Sequence, residues 1–160
     1  MRRCLPAICL FIAFGATAAD DPMARPNHFA LFGGFTIGGQ NSGDGREKAA
    51  FTVGVDYERR LSPRWGLGVM GDWAFGDRRE FIVAAPVFLH TRSGLRFHLA
   101  PGIERIRKDG PREAKSEFLL RTGLAYDFHF GEVSLSPSFS VDFVHGEQLY
   151  VLGASVGWSY

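Results

Sequence analysis

Eight stretches of this chain alternate, residue by residue, between a large apolar side chain and a small or polar one. A period of two belongs to a β-strand with two unlike faces, and no stretch repeats convincingly at helical spacing. The last stretch, Leu149–Tyr160, is the clearest. Tyr150, Leu152, Ala154, Val156, Trp158 and Tyr160 fall on one face, and Val151, Gly153, Ser155, Gly157 and Ser159 on the other. The same division runs through Phe29–Gly39, Ala50–Arg59, Trp65–Phe75, Leu95–Arg105, Phe118–Phe130 and Val133–His145. An all-β chain is the only class this pattern allows.

In Phe81–Thr91 both sets are apolar, so the turn that follows must set the phase. Arg92-Ser93-Gly94 suits a three-residue hairpin with glycine in the left-handed conformation. Thr91 then pairs with Leu95, and Phe81, Val83, Ala85, Val87 and Leu89 share the apolar face. Gly131-Glu132 and Gly146-Glu147 each suit a two-residue type II′ turn. The first pairs Phe130 with Val133. The second pairs Phe143 with Tyr150 and Asp142 with Val151. In both hairpins apolar face meets apolar face, as a shared register requires.

The N-terminus reads differently. Met1-Arg2-Arg3, an apolar run from Cys4 to Phe14 and Thr17-Ala18-Ala19 form a secretory signal peptide with cleavage expected after Ala19. The run is too short for a spanning helix, which needs about 20 apolar residues. No lipobox-like sequence precedes either cysteine. The expected organisation is a signal peptide over 1–19, a short periplasmic lead-in over 20–28 and one domain over 29–160. Both cysteines lie in the signal segment, so the mature chain has no thiol nucleophile, disulfide or cysteine-held metal. Of 18 basic and 17 acidic residues, Arg2 and Arg3 leave with that segment, and the mature chain is near neutral. A strongly basic nucleic-acid surface is thereby excluded, and no basic-aromatic motif suggests one.

The sign of the alternation comes from the second face. Soluble lipocalin-like barrels hold their large apolar side chains inside. Here the small face carries glycine, serine, alanine and charged groups, which suit the lumen of an eight-stranded barrel, a space only wide enough for side chains. Asp56, Glu58, Asp72, Arg96, Glu104, Arg121, Asp127 and Asp142 are expected there as a network of luminal charges. Arg96 and Arg121 would neutralise nearby carboxylates, because an unpaired buried charge is costly; an ion-selective path is the alternative. The large face is aromatic near many strand ends, at Phe29, Phe51, Tyr57, Trp65, Trp73, Phe75, Phe81, Phe128, Phe143, Tyr150 and Trp158. Rings collect in that way at membrane–water interfaces. Segments of about 10–13 residues match a tilted membrane strand.

With its end, Val156-Gly157-Trp158-Ser159-Tyr160, the chain resembles the small eight-stranded outer-membrane barrels of the OmpA-membrane-domain, OmpX and porin-like superfamily. The resemblance spans nearly all of the mature chain. It implies an all-β, eight-stranded antiparallel up-and-down transmembrane barrel in the cell outer membrane. It also implies that Val156, Trp158 and Tyr160 act as an assembly signal for the barrel-assembly machinery. Both termini would be periplasmic, with loops near 40–48, 77–79, 107–117 and 146–147 outside.

Arg46, Lys48, Arg78, Arg79, Arg105, Arg107, Lys108, Arg112 and Lys115 then cluster at the outer rim. They are candidates to hold lipopolysaccharide phosphates, since guanidinium groups grip phosphate oxygens well. Ordinary solvated loops are the alternative, with Asp44, Glu47, Asp77, Glu80, Asp109, Glu113 and Glu117 balancing the charge.

Lipid A deacylases among small barrels carry a histidine with a serine two positions on, but this chain has His145-Gly146-Glu147. Ser140 and Asp142 share a strand with His145, which falls on the opposite face, so no triad forms along it. His90, His98 and His129 are expected inward as structural groups, with His90 opposite Arg96 and His98 opposite Phe88; no metal or other cofactor is expected. The reading is a monomeric outer-membrane barrel with a side-chain-filled lumen, in contact with outer-membrane lipid and lipopolysaccharide. Its expected role is structural, in envelope integrity or surface interaction. A narrow channel or a lipid A-modifying enzyme are the alternatives.

Overall fold

The computed structural model describes residues 23–38, 49–75, 79–107 and 114–160, with the backbone alone at 79, 106–107 and 114–115. The expected signal peptide over 1–19, residues 20–22 of the expected lead-in and the 40–48 connection lie outside the described residues. Eight strands run in antiparallel succession. They are β1 (Asn27–Gly38), β2 (Ala49–Arg60), β3 (Trp65–Phe75), β4 (Arg79–Ala84 continued by Val87–His90), β5 (Leu95–Arg107), β6 (Ala114–Tyr126 continued by Phe128–Phe130), β7 (Val133–Val144) and β8 (Glu147–Ser159).

Each strand pairs with its sequence neighbours, and β8 pairs with β1 to close the sheet into a barrel. Closure extends to the last residue: Asn27 N donates to Tyr160 O at 3.1 Å, and Tyr160 N to Asn27 O at 2.9 Å. Followed strand to strand once around the wall, the ladder leaves β1 at His28 and returns to it at Gly38, ten residues further along. That stagger tilts the strands and fixes the bore. The interruption in β4 is Pro86, which lacks an N–H. Its carbonyl still accepts from Gly68 N at 3.0 Å, while Ala85 N donates to Pro101 O at 2.9 Å, so the wall stays continuous.

Two of the three expected hairpins form as the sequence indicates. Thr91 N donates to Leu95 O at 2.8 Å across a turn whose Gly94 has φ +88°. Phe130 pairs with Val133 across Gly131-Glu132, with Gly131 at φ +67°. The third is displaced. His145 and Gly146, with φ +49° and +82°, are the turn residues, both left-handed as in type I′. Asp142 therefore pairs with Leu149 and Val141 with Tyr150. The shift from the expected register is two residues, so every side chain keeps its face.

The faces are inverted relative to a soluble protein. Leu31, Phe35, Val55, Leu67, Val69, Trp73, Leu99, Ile103, Leu152 and Trp158 all stand exposed on the outer wall. An apolar surface running around the whole molecule far exceeds the few hundred Å² that soluble monomers expose. At the end remote from the termini, Phe35, Phe51, Phe75, Trp73 and Phe81 form a continuous belt, with ring centroids 5.7–6.4 Å apart.

Inward positions hold glycine where a large neighbour must lie flat. A Cβ at Gly153 would strike the Gly33 carbonyl and the Phe32 ring, and one at Gly34 would strike the Leu152 carbonyl and that same ring. Gly33 points outward into open space. Replacing Gly153 with valine should therefore destabilise the barrel by about 1–3 kcal/mol or more. Gly33→Val should be close to neutral. Urea unfolding in lipid vesicles, read by the gel shift between folded and boiled samples, separates the two.

Candidate functional site

Among the described residues the lumen gathers a dense set of ionisable groups, and it is layered. The alternation that turns Val55, Tyr57 and Arg59 outward turns Asp56, Glu58 and Arg60 inward, and the other strands behave likewise.

Near the end that carries the termini, Glu58 is nearly fully buried. Its Oε1 lies 2.6 Å from His90 Nε2 and 3.4 Å from Arg60 Nε, and its Oε2 lies 3.8 Å from Arg96 Nη1. Arg96 Nε approaches Asp127 Oδ2 at 3.3 Å, and Ser136 Oγ donates to Asp127 Oδ1 at 2.7 Å. The Arg96 guanidinium also sits 5.3 Å from the centre of the Phe88 ring, within cation–π range. His28 Nε2 reaches Ser134 Oγ at 3.0 Å beside Gly157, whose Cβ would collide with both.

Halfway along, Arg121 bridges the bore. Its Nε and Nη2 donate to the two oxygens of Asp142 at 2.6 and 2.7 Å, a bidentate pair, while Nη1 donates to Asp72 on the opposite wall. Planar guanidinium geometry suits such a clamp. Both carboxylates are almost completely buried. Beside the clamp remains a cavity of about 30 Å³, roughly room for one water, lined among others by Asp56, Met70, Phe88, His98 and Ser140. Asp56 Oδ1 has no hydrogen-bond partner there.

Towards the far end the lumen turns apolar. Ile82, Leu119 and Val144 form a buried cluster across β4, β6 and β7, and the Thr36 and Thr52 hydroxyls meet at 2.7 Å on the other side. The expectation of a polar filling thus holds for only part of the bore.

All eight predicted luminal charges point inward, and six of them form the ion pairs of this interior. Asp56 faces the cavity. Glu104 is buried level with the apolar layer, in register with Ile82 and Glu117, and meets neither arginine among the described residues. The sequence reading stopped β2 at Arg59 and so missed Arg60. Continuing the alternation by one residue would have found it. His90 and His98 point inward opposite Arg96 and Phe88 as expected. His129 does not join them; it is exposed at the barrel rim.

Ser140 Oγ and His98 Nε2 are 3.3 Å apart, a serine–histidine pair that cross-strand geometry creates. Neither oxygen of Asp142 orients that histidine, because both are committed to Arg121. The pair lines the cavity of about 30 Å³ beside the clamp.

Of the candidate lipopolysaccharide contacts, Arg46, Lys48, Arg78, Lys108 and Arg112 lie outside the described residues, as do the side chains of Arg79, Arg107 and Lys115. Arg105 is exposed on the outer wall, in register with Phe81 of the aromatic belt. Val156, Trp158 and Tyr160 all face outward and are exposed.

No family model matches the sequence, and no curated protein sequence matches it. Solved structures do. The chain superposes on Neisserial surface protein A with a TM-score of 0.59 at 12% identity, covering 84% of this chain and 97% of that one. The N-terminal β-barrel domain of Pseudomonas aeruginosa OprF gives 0.59 at 14% identity, covering 85% and 98%. Ail, the attachment invasion locus protein of Yersinia pestis, solved with the heparin analogue sucrose octasulfate, gives 0.56 at 13% identity, covering 84% and 97%. The fold is that of the small transmembrane β-barrels.

The clamp predicts an asymmetric mutational response. Arg121→Met strands Asp142 and Asp72 without a counter-charge and should cost about 3–5 kcal/mol. Removing all three charges together, as Arg121→Met with Asp142→Leu and Asp72→Leu, should cost much less. Equilibrium urea unfolding in vesicles measures both.

Proposed function

We propose that this protein is an exported, monomeric outer-membrane barrel, closed by its own side chains, with a structural or surface-interaction role and no catalytic one. What carries the reading is the pairing of an apolar wall with a lumen crossed by Arg121 between Asp142 and Asp72. Backbone groups within lipid need internal partners, and a closed ladder supplies them. A bore with one water's room at its centre offers no path to a hydrated ion.

The far end is the proposed contact surface. Arg105 stands beside the aromatic belt, at the level where lipopolysaccharide phosphates would lie if the termini are periplasmic. The remaining candidate cations lie in sequence in the connections after β1, β3 and β5 and at the strand ends that border them. Ail was solved with a sulfated saccharide, and a polyanion is the ligand class that such a rim suits here. Val156, Trp158 and Tyr160 are proposed to serve assembly, because they lie on the strand that must close against β1.

The reading is tested in intact cells and in planar bilayers. The protein should fractionate with outer membranes, shift on gels after boiling and give no conductance steps at several salt concentrations. Recovery from the soluble periplasm would overturn the membrane assignment, and discrete steps would overturn the closed lumen. Lipid A should keep its mass when the barrel is overproduced; a changed spectrum would make it an enzyme. Deleting Tyr160 should lower the amount of folded barrel several-fold, and normal levels would remove its assembly role.

A further inference from the structure

The outer wall is not uniform. Val55, Gly71 and Val83 stand side by side on β2, β3 and β4, so two valines flank a position with no side chain. The adjacent row toward the termini is Phe29, Tyr57 and Val69. Between these rows the wall is indented by a groove of about 260 Å³. Gly71 is its floor. Although it faces outward it is half-buried, whereas Gly33, also outward on β1 and outside the groove, is exposed.

One end of the groove is polar and cationic. The outward residues of β2 run Val55, Tyr57, Arg59, which places Arg59 about 13 Å along the strand from Val55. The Tyr57 hydroxyl donates to Asn27 Oδ1 at 3.0 Å, and Arg59 Nη1 donates to the same oxygen at 3.4 Å. Asn27 thus holds both groups at the groove's mouth. No carboxylate pairs with Arg59 among the described residues, and the guanidinium keeps further donors for an anion.

We propose that this groove binds a glycerophospholipid, with its phosphate at Arg59 and the Asn27–Tyr57 pair and one acyl chain lying over Gly71. The charge complementarity is specific in direction. The cation beside the groove, Arg59, lies at its terminal end, the apolar channel leads away from it toward mid-wall, and a phospholipid has that order of groups. The inference rests on the outer-membrane reading, under which the terminal end faces the periplasm. The ligand is then an inner-leaflet phospholipid rather than lipopolysaccharide.

The test uses the full chain, exported and purified from membranes in mild detergent, and native mass spectrometry with added palmitoyl-oleoyl phosphatidylglycerol or phosphatidylethanolamine. The wild-type protein should retain one phospholipid of either headgroup. Arg59→Gln should lower retention about ten-fold, the effect of losing a charge-assisted hydrogen bond. Gly71→Leu should lower it as much by filling the groove. Its added Cβ meets only Ile82 O at 3.8 Å and Val55 Cγ2 at 4.0 Å, so the wall tolerates it. Gly33→Leu, which adds the same bulk outside the groove, should leave retention unchanged.

Equal retention in all four proteins would mean annular lipid only and would overturn the site, as would equal losses in Gly33→Leu and Gly71→Leu. Membrane flotation and the gel shift are followed in the same samples. Their loss in the wild-type protein would instead overturn the outer-membrane reading.

Discussion

Closure of β8 against β1 is the constraint on which the rest of the structure depends. An open eight-stranded sheet in lipid would leave two rows of N–H and C=O groups unpaired, at several kcal/mol for each group. The ladder therefore runs from Leu149–Gly38 at one end to the Asn27–Tyr160 backbone pair at the other. Closing with a ten-residue stagger sets the bore, and the bore then dictates what the inward residues can be.

A bore of that width cannot hold a large side chain at every inward position. Glu58 lies across Gly66, Phe32 across Gly34 and Gly153, and His28 across Gly157. The glycines are the complement of the large groups: each one cedes its volume to a neighbour that reaches towards the centre. This explains how the bore accommodates Glu58, Arg96, Arg121, Asp142 and Phe88 together, and why its inward sequence looks so unlike an ordinary core.

The alternation made the strands, their faces and two of the three tight turns legible in the sequence. The third turn was misread for a definable reason. Registers that differ by two residues place the same side chains on the same faces, so pairing Asp142 with Val151 or with Leu149 satisfies the pattern equally. Only the left-handed conformation of His145, which a sequence signal for glycine does not include, separates them. The site was legible as a set but not as a geometry. That Asp72, Arg121 and Asp142 face inward follows from parity. That Arg121 bonds Asp142 follows from their being cross-strand partners, once the register is known. That it also reaches Asp72, on β3 across the bore, depends on tilt and stagger together, and no local pattern encodes these. The apolar layer of Ile82, Leu119 and Val144 was present in the inward sets but was obscured by the attention their charged neighbours draw.

The composition of the lumen bears on why a closed barrel would carry ions at all. An apolar filling of similar volume can be as stable as a buried ion pair, so stability alone does not explain Arg121 and its two carboxylates. What the clamp adds is specificity. Asp142 engages Nε and Nη2, Asp72 engages Nη1, and exchanging their roles would require β3 and β7 to slide relative to β6. A two-residue slip of β8 on β7 is invisible to the wall, since it keeps every outer side chain in lipid. Ion pairs that cross the bore are sensitive to such slips, because each ties strands that are not neighbours. Arg121 to Asp72 does so in the middle of the barrel, and Arg96 to Glu58 does so nearer the termini. Ion pairs across the bore therefore supply registry information that a largely apolar outer face does not.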